Sequence, residues 1–262
     1  MGKREDILEH LNENEKLFAV RIIDYVEQVE KSWGIRYTQF LDPSQVVKAE
    51  KIIKQCGSSI NYFVTSGIED CERNIIVISH DSIDAHGIVL PIAPILLDGN
   101  FKFEILHHRD VLGAIMNLGI KREKMGDIFF SKDKCYVIVY EDICDYISIN
   151  LTRIKHVPID AKRIDFDQLP PREISTKEMK ATISSPRLDS VISAGFGVSR
   201  SSISKEIKNG NVKVNYEEIK TLSFSVNEGD VISLRGRGRI SIKEMGGLSK
   251  KGRTNITILK YI

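Results

Sequence analysis

The apolar residues between Leu188 and Asn215 change their spacing twice in a short stretch, and this constrains the fold of the carboxy-terminal third more than any other feature. Leu188, Val191 and Ile192 repeat as one helical stripe, and Gly195 with Gly197 marks the turn that closes it. Ser199 is placed to cap a second helix that ends at Gly210. On that helix Arg200, Ser201, Ser204, Lys205 and Lys208 share an arc of about 140°, while Ile203 and Ile207 lie on a separate arc. One face can pack and the other is cationic. Asn211-Val-Lys-Val-Asn215 then alternates strictly, so Val212 and Val214 turn inward while Lys213 and Asn215 turn out. Leu222, Phe224 and Val226 repeat the alternation, Asn227-Glu-Gly-Asp230 makes a turn, and Val231 to Leu234 returns as a strand. A small sheet is therefore expected behind two helices. It is followed by Arg235-Gly-Arg-Gly-Arg239, whose glycines let the backbone approach a phosphate chain.

Charge singles out the same region. From Arg172 to Ile262 there are 17 Lys and Arg against 9 Asp and Glu, a net of +8, which leaves −6 for Met1 to Pro171. A polyanion-binding surface belongs at the carboxy-terminal end. The longest apolar run, Ile88 to Leu97, is broken by Pro91 and Pro94 and falls short of the roughly 20 residues that cross a bilayer. Acids follow Met1-Gly2-Lys3-Arg4 where a secretory apolar stretch would begin, so a cytoplasmic location without membrane contact is expected. Cys56, Cys71, Cys135 and Cys144 are irregularly spaced and are expected to be free thiols rather than a zinc site or disulfide framework. His80, Asp81, Asp84 and His86 form a polar loop in preference to a metal cluster, and no cofactor is expected.

With 262 residues the chain can form two or three compact units, and an α+β fold is expected throughout. Residues 1–74 carry helices around Leu8 to Asp24, with Asn14 as a cap between them, a helix from Pro43 to about Cys56, and a strand from Ile60 to Thr65. Residues 75–165 follow the βαββαβ order of a ferredoxin-like (RRM-like) sandwich. Its parts are strands at 102–106, 127–131 and 135–140, helices at 111–118 and 143–154, and a short last strand. Tyr136 and Tyr140 share a face, but the strand lacks the Gly-aromatic pattern that stacks bases, so packing or surface roles are expected for them. Residues 166–180, with Pro170-Pro171, are expected to be a linker, and 181–262 a separate module.

The motifs of catalysis are incomplete. His108-Arg109-Asp110 lacks the Asn five positions on that a kinase loop needs, since Ile115 stands there. These three residues are placed instead to start a helix, with Asp110 favourable near its N-terminal dipole. Neither Gly195-Phe-Gly197 nor Gly236-Arg-Gly238 opens a βαβ unit, so dinucleotide binding is not indicated.

Arg187-Leu-Asp189, Val198-Ser-Arg200, Lys208-Asn-Gly-Asn-Val-Lys-Val-Asn215, Gly229-Asp230 and the Arg-Gly stretch together resemble the RNA-binding module named after small-subunit ribosomal protein S-four. The resemblance implies RNA-backbone contacts from Arg187, Ser199, Arg200, Lys205, Lys208, Lys213, Asn215 and Arg235. The cationic arc and the Arg-Gly stretch add Ser201, Arg237 and Arg239. This chain has Asn215-Tyr216 where that module usually has Asn-Gly. Phe40-Leu-Asp-Pro43, Gly67, Glu72-Arg73, His108 to Met116, Leu118 to Glu123 and Gly126-Asp-Ile128 extend the likeness, so that nearly the whole chain resembles the YlmH family. It departs at Ser66-Gly67, where a double glycine is usual. The family likeness implies a non-catalytic factor that binds ribosomal RNA of the large subunit, near or on tRNA, on ribosomes with stalled nascent chains. It implies no small-molecule substrate, and further RNA or ribosome contacts from Arg73, Arg109 and Arg122. The alternative is an RNA-modifying enzyme, such as a pseudouridine synthase, that uses the module for targeting.

Overall fold

The computed structural model describes residues 3–9, 11–56, 59–101, 104–171, 175–249 and 252–261, and the chain divides into two compact units, Met1–Arg172 and Glu173–Ile262. The amino-terminal unit begins with α1 (Lys3–Glu9) and α2 (Glu13–Ser32). The cap of α2 is Asn12 rather than Asn14: its side chain accepts the Glu15 N–H at 3.0 Å, and the Glu15 carboxylate reaches back to the Asn12 N–H. Then come β1 (Ile35–Tyr37), α3 (Pro43–Cys56), β2 (Ile60–Thr65) and β3 (Ile75–His80), which form an antiparallel sheet in the order β1-β3-β2. The sheet thus continues past residue 74. Every residue of β3 is buried: Ile76 and Ile78 pack among α2 and α3, and Ile75 and Val77 pack on a second sheet. A strand covered on both faces shows an unbroken apolar run instead of an alternation.

The second sheet has the order β5-β6-β4-β9, from β4 (Ile92–Asp98), β5 (Met125–Ser131), β6 (Lys134–Tyr140) and β9 (Asp160–Arg163). With α4 (His108–Asn117) and α5 (Cys144–Asn150) it makes the ferredoxin-like βαββαβ arrangement. The first strand is β4, not 102–106: residues 102–103 lie outside the described residues, and Glu104 to Leu106 form no strand. Pro94 does not break β4, because its backbone faces the end of β9, where its carbonyl accepts the Ile164 N–H at 3.0 Å and no donor is needed. The second helix stops at Asn150, short of 154, and a tight hairpin of β7 (Arg153–Ile154) and β8 (Val157–Pro158) follows.

The face of this sheet away from α4 and α5 packs on the first sheet, with Ile92, Ile138 and Tyr140 against Phe40, Ile75 and Val77. The unit is a four-layer α/β/β/α sandwich. Tyr140 donates its hydroxyl proton to the Thr38 carbonyl, and its ring meets Phe40 edge-on at 5.6 Å. Tyr136 is buried and stacks on Phe129 at 5.4 Å. The platform that single-stranded bases would need is closed. Gly126 permits the close approach of the sheets, since a Cβ there would lie 2.7 Å from the Phe40 ring. Asp127 accepts the N–H groups of Glu72 and Arg73 at 2.8 and 3.0 Å.

The carboxy-terminal unit contains β10 (Thr176–Ile183), α6 (Leu188–Phe196), α7 (Arg200–Lys208), β11 (Val212–Val214), β12 (Glu217–Glu218), β13 (Val231–Leu234), β14 (Gly238–Leu248) and β15 (Thr254–Tyr261). Its antiparallel sheet has the order β10-β15-β14-β13-β11-β12. Residues 176–180, expected in the linker, are strand: β10 pairs with β15 over its whole length. Leu222 to Val226 is not a strand. It is a loop pinned by the Arg187–Ser225 bridge and by the Val226 N–H on the Pro186 carbonyl, with Val226 buried and Leu222 and Phe224 packed on the core. Val191, Ile192, Ile203 and Ile207 share one core with Val212, Val214, Ile232, Ile240 and Ile258. Among the described residues no helix is long and apolar enough to cross a membrane.

Candidate nucleic-acid interface

Helix α7 is set by its ends. The Ser199 hydroxyl accepts the Ser202 N–H at 3.3 Å as the N-cap, and Gly210, in the left-handed region at φ +73°, lets the chain turn into β11. Ile203 and Ile207 are fully buried, which leaves Ser199, Arg200, Ser201, Lys205 and Lys208 exposed along the opposite side. The Arg235 N–H donates to the Asn211 carbonyl at 2.9 Å, so the turn between β13 and β14 is fastened beside the end of α7. Lys205, Lys208, Arg235 and Arg237 therefore gather at one end of the unit. All four are exposed and make no ion pair among the described residues.

Arg200 takes another course. Its guanidinium donates to the Ser184 hydroxyl at 2.7 Å and to the Ser190 hydroxyl. It lines a cavity of about 400 Å³ with Ser193 and Arg253, whose own guanidinium donates to the Thr182 carbonyl at 2.8 Å. Two arginines and several hydroxyls around one hollow suit a phosphate group. Arg253 was not singled out in the sequence; its signal was the basic run that leads from Lys250 to it, and Lys250 and Lys251 lie outside the described residues. Arg187 is half exposed, with its guanidinium 3.4 Å from the buried Asp189 carboxylate, so part of its charge is offset inside the protein.

The expected single surface is thus divided. Lys213 is exposed but alternates with the buried Val212 and Val214, so it projects from the side of the sheet opposite α6 and α7. Arg239 shares that side. Its guanidinium lies 5.3 Å from the Tyr216 ring and 5.7 Å from the Tyr261 ring, and it donates to the Ser233 hydroxyl at 3.4 Å. Burial lowers the Arg239 pKa from the usual arginine range. Asn215 is structural: its amide donates to Asp230 at 2.8 Å and accepts the Val231 N–H at 2.9 Å. Asn215 and Tyr216 both have positive φ, 48° and 70°, the geometry of a two-residue hairpin turn, which forms here without glycine.

The three arginines of the amino-terminal unit also separate. Arg73 donates to the carbonyls of Phe40 at 2.6 Å and Met125 at 3.0 Å, and Arg122 to those of Met125 at 2.7 Å and Gly126 at 3.0 Å. Arg73 ties the backbone at residue 40 to β5, whereas the bonds of Arg122 stay within residues 122–126. Arg109 is highly exposed in the first turn of α4, where Asp110 accepts the His107 N–H at 2.9 Å and pairs with Lys155 at 2.8 Å.

Comparison with known proteins covers the same segments. Residues 14–83 match the family described as "YlmH, N-terminal", residues 92–168 "Putative RNA-binding domain in YlmH", and residues 186–232 "S4 domain". A protein of Bacillus subtilis (strain 168) named "Ribosome-associated protein quality control protein P2" is 29% identical over 252 residues, 96% of this chain and 97% of that protein. A solved structure described as cell division protein ylmH from Streptococcus pneumoniae matches with a TM-score of 0.51 at 21% identity, covering 61% of this chain and 96% of that one, a likeness of fold. With family segments along most of its length, and the two helices and strand of the last segment formed as described, this chain belongs to the YlmH family and carries an S4 domain at its carboxy-terminal end.

Proposed function

We propose that the protein is a non-catalytic, cytosolic factor that binds structured ribosomal RNA of the large subunit, close to tRNA, and acts on ribosomes with stalled nascent chains. The observation that carries this reading is the group Lys205, Lys208, Arg235 and Arg237, exposed and without internal ion pairs among the described residues. A rigid cationic surface of this kind suits the backbone and shape of folded RNA. The name of the Bacillus subtilis relative supports the ribosomal setting. A binding role in place of catalysis rests on how the reactive side chains are engaged. Asp127 caps a turn, Asp110 caps α4, and His80 stacks on Trp33. Burial pushes the thiols of Cys135 and Cys144 up to about 12 and about 11, which disfavours the thiolate.

The test is the salt dependence of binding to large-subunit ribosomal RNA. Replacing all four cations by Ala is expected to flatten the slope of log affinity against log salt by about three units. An unchanged slope removes these residues from the interface. Loss of a ribosomal RNA modification in cells without the protein, restored by the purified chain, would make it an enzyme.

A further inference from the structure

The amino-terminal unit contains a cavity of about 340 Å³ where α2, residues 38–42 and the turn before β5 meet. Its cations come from three parts of the chain: Arg21 on α2, Arg73 before β3, and Lys121 with Arg122 before β5. Asp42 and Glu123 face the same space, which leaves a local positive excess within a segment whose balance is −6. Such reversal in a concave place attracts anions.

The positive charges are little offset by ion pairs. Among the described residues the Lys121 side chain makes none, and Arg21 donates at 2.8 Å to the neutral amide oxygen of Gln39. Asp42 accepts the Ser44 hydroxyl and the Gln45 N–H, both at 2.9 Å, at the start of α3. Arg73 and Arg122 bond to carbonyls, which leaves their charge in place. Burial, and then repulsion from Arg73, lowers Arg122 to about 10, with the Asp127 carboxylate offsetting part of this. An anion in the cavity would relieve that repulsion. Phe18 and Tyr25 stand on the same face of α2 as Arg21, at helical spacing, and give the cavity an aromatic wall. Cations beside aromatic rings form the combination that holds unpaired nucleotides.

We infer that this cavity binds a single unpaired nucleotide, with its phosphate against Arg21, Lys121 and the free edges of Arg73 and Arg122, and its base against Phe18 and Tyr25. The ferredoxin-like sheet has its own face closed by the first sheet, so the contact moves to this neighbouring cleft. The inference stands apart from the carboxy-terminal surface. A free mononucleotide and an unpaired residue of an RNA strand offer the same chemistry.

The test uses the full chain labelled for amide NMR, titrated with 5′-AMP, adenosine, inorganic phosphate and the single-stranded tetranucleotide of adenosine. The expected result is that 5′-AMP shifts the amides of Gln39, Lys121 and Glu123, and that Arg21→Ala with Lys121→Ala weakens its binding about tenfold. Both side chains are exposed, so the fold survives, and retention of the other amide positions checks it. Tighter binding of the tetranucleotide than of 5′-AMP assigns the site to an RNA strand; equal or weaker binding assigns it to a free nucleotide. Absence of shifts with every nucleotide, shifts that the double variant leaves unchanged, or phosphate binding as tight as 5′-AMP each overturn the inference. Lys205→Ala with Lys208→Ala is expected to leave 5′-AMP binding unchanged, which keeps failure here distinct from failure of the RNA interface.

Discussion

In the amino-terminal unit, Arg73 and Arg122 direct their N–H groups onto the carbonyls of Phe40, Met125 and Gly126, whereas in the carboxy-terminal unit Lys205, Lys208, Arg235 and Arg237 direct theirs outward. The first set is surrounded by a glycine that admits an aromatic ring and a carboxylate that caps a turn; of the second, Lys205 and Lys208 lie along a helix whose other side is buried, and Arg235 and Arg237 lie in the turn between β13 and β14. A cationic residue thus serves the fold through the N–H groups that the surrounding backbone accepts, and only the N–H groups left over can meet solvent or an anion.

The largest expected effect tests the first half of this contrast. Arg73→Ala leaves the Phe40 carbonyl without its donor, while that of Met125 keeps Arg122, and should lower the stability of the amino-terminal unit by about 3 kcal/mol. Trp33 is the chain's one tryptophan, so its fluorescence during denaturation reports this unit alone. A loss under about 1 kcal/mol would break the comparison. Arg73→Lys should recover little, because a single ammonium cannot serve both carbonyls in the same geometry.

The complementary experiment reads the exposed set. Replacing Lys205, Lys208, Arg235 and Arg237 together by Ala should weaken binding to ribosomal RNA about 100-fold at physiological salt. Thermal unfolding by circular dichroism should move little, since solvated side chains contribute within about 0.5 kcal/mol each. If stability falls in step with affinity, these cations are structural after all.

A smaller effect tests the glycine at the junction. In Gly126→Ala the new methyl would lie 2.7 Å from Cε1 of Phe40, whose ring is held against Tyr140. The loss should be about 1 to 2 kcal/mol, read by Trp33 fluorescence, and Phe40→Leu in the same chain should return part of it. Equal loss in single and double variants would show that the two sheets do not depend on this approach.

What the sequence made legible follows from how each element is solvated. Helix α7 and β11 each have one wet and one dry face, so their periods of 3.6 and 2 are written in the residues, and the exposed lysines follow directly. β3 and β4 are dry on both faces and show no alternation, and Pro94 looked like a breaker because nothing local tells that β9 ends beside it. Residues 176–180 of β10 read as linker because most of them are exposed, and only the pairing with β15 reveals a strand. Leu222, Phe224 and Val226 alternate because the loop inserts side chains into the core, without a ladder. At the interface, the surroundings of Lys213 and Arg239 are not written in the sequence for a similar reason. Which side of a sheet a residue faces is local, but what covers that side is not: Tyr216 and Tyr261 reach Arg239 across strands far apart in sequence.

Arg239 is the place where the comparison can be sharpened most finely, because it lies in the cationic unit yet is held as the buried arginines are. Tyr216 holds φ at +70°, a conformation that costs an L-residue about 1 to 2 kcal/mol. Its ring returns about 0.5 to 1 kcal/mol through the guanidinium contact. Tyr216→Gly removes both and adds about 0.4 to 1 kcal/mol of unfolded-chain entropy, so stability should stay within about 0.5 kcal/mol of the parent. Tyr216→Ala keeps the strain and loses the ring, and should be about 1 kcal/mol less stable. RNA affinity should not change in either variant, nor in Arg239→Ala, if the arginine serves only the sheet. A tenfold loss of affinity in Arg239→Ala without loss of stability would place it with Lys205 and Lys208 and extend the RNA surface to the far side of the sheet.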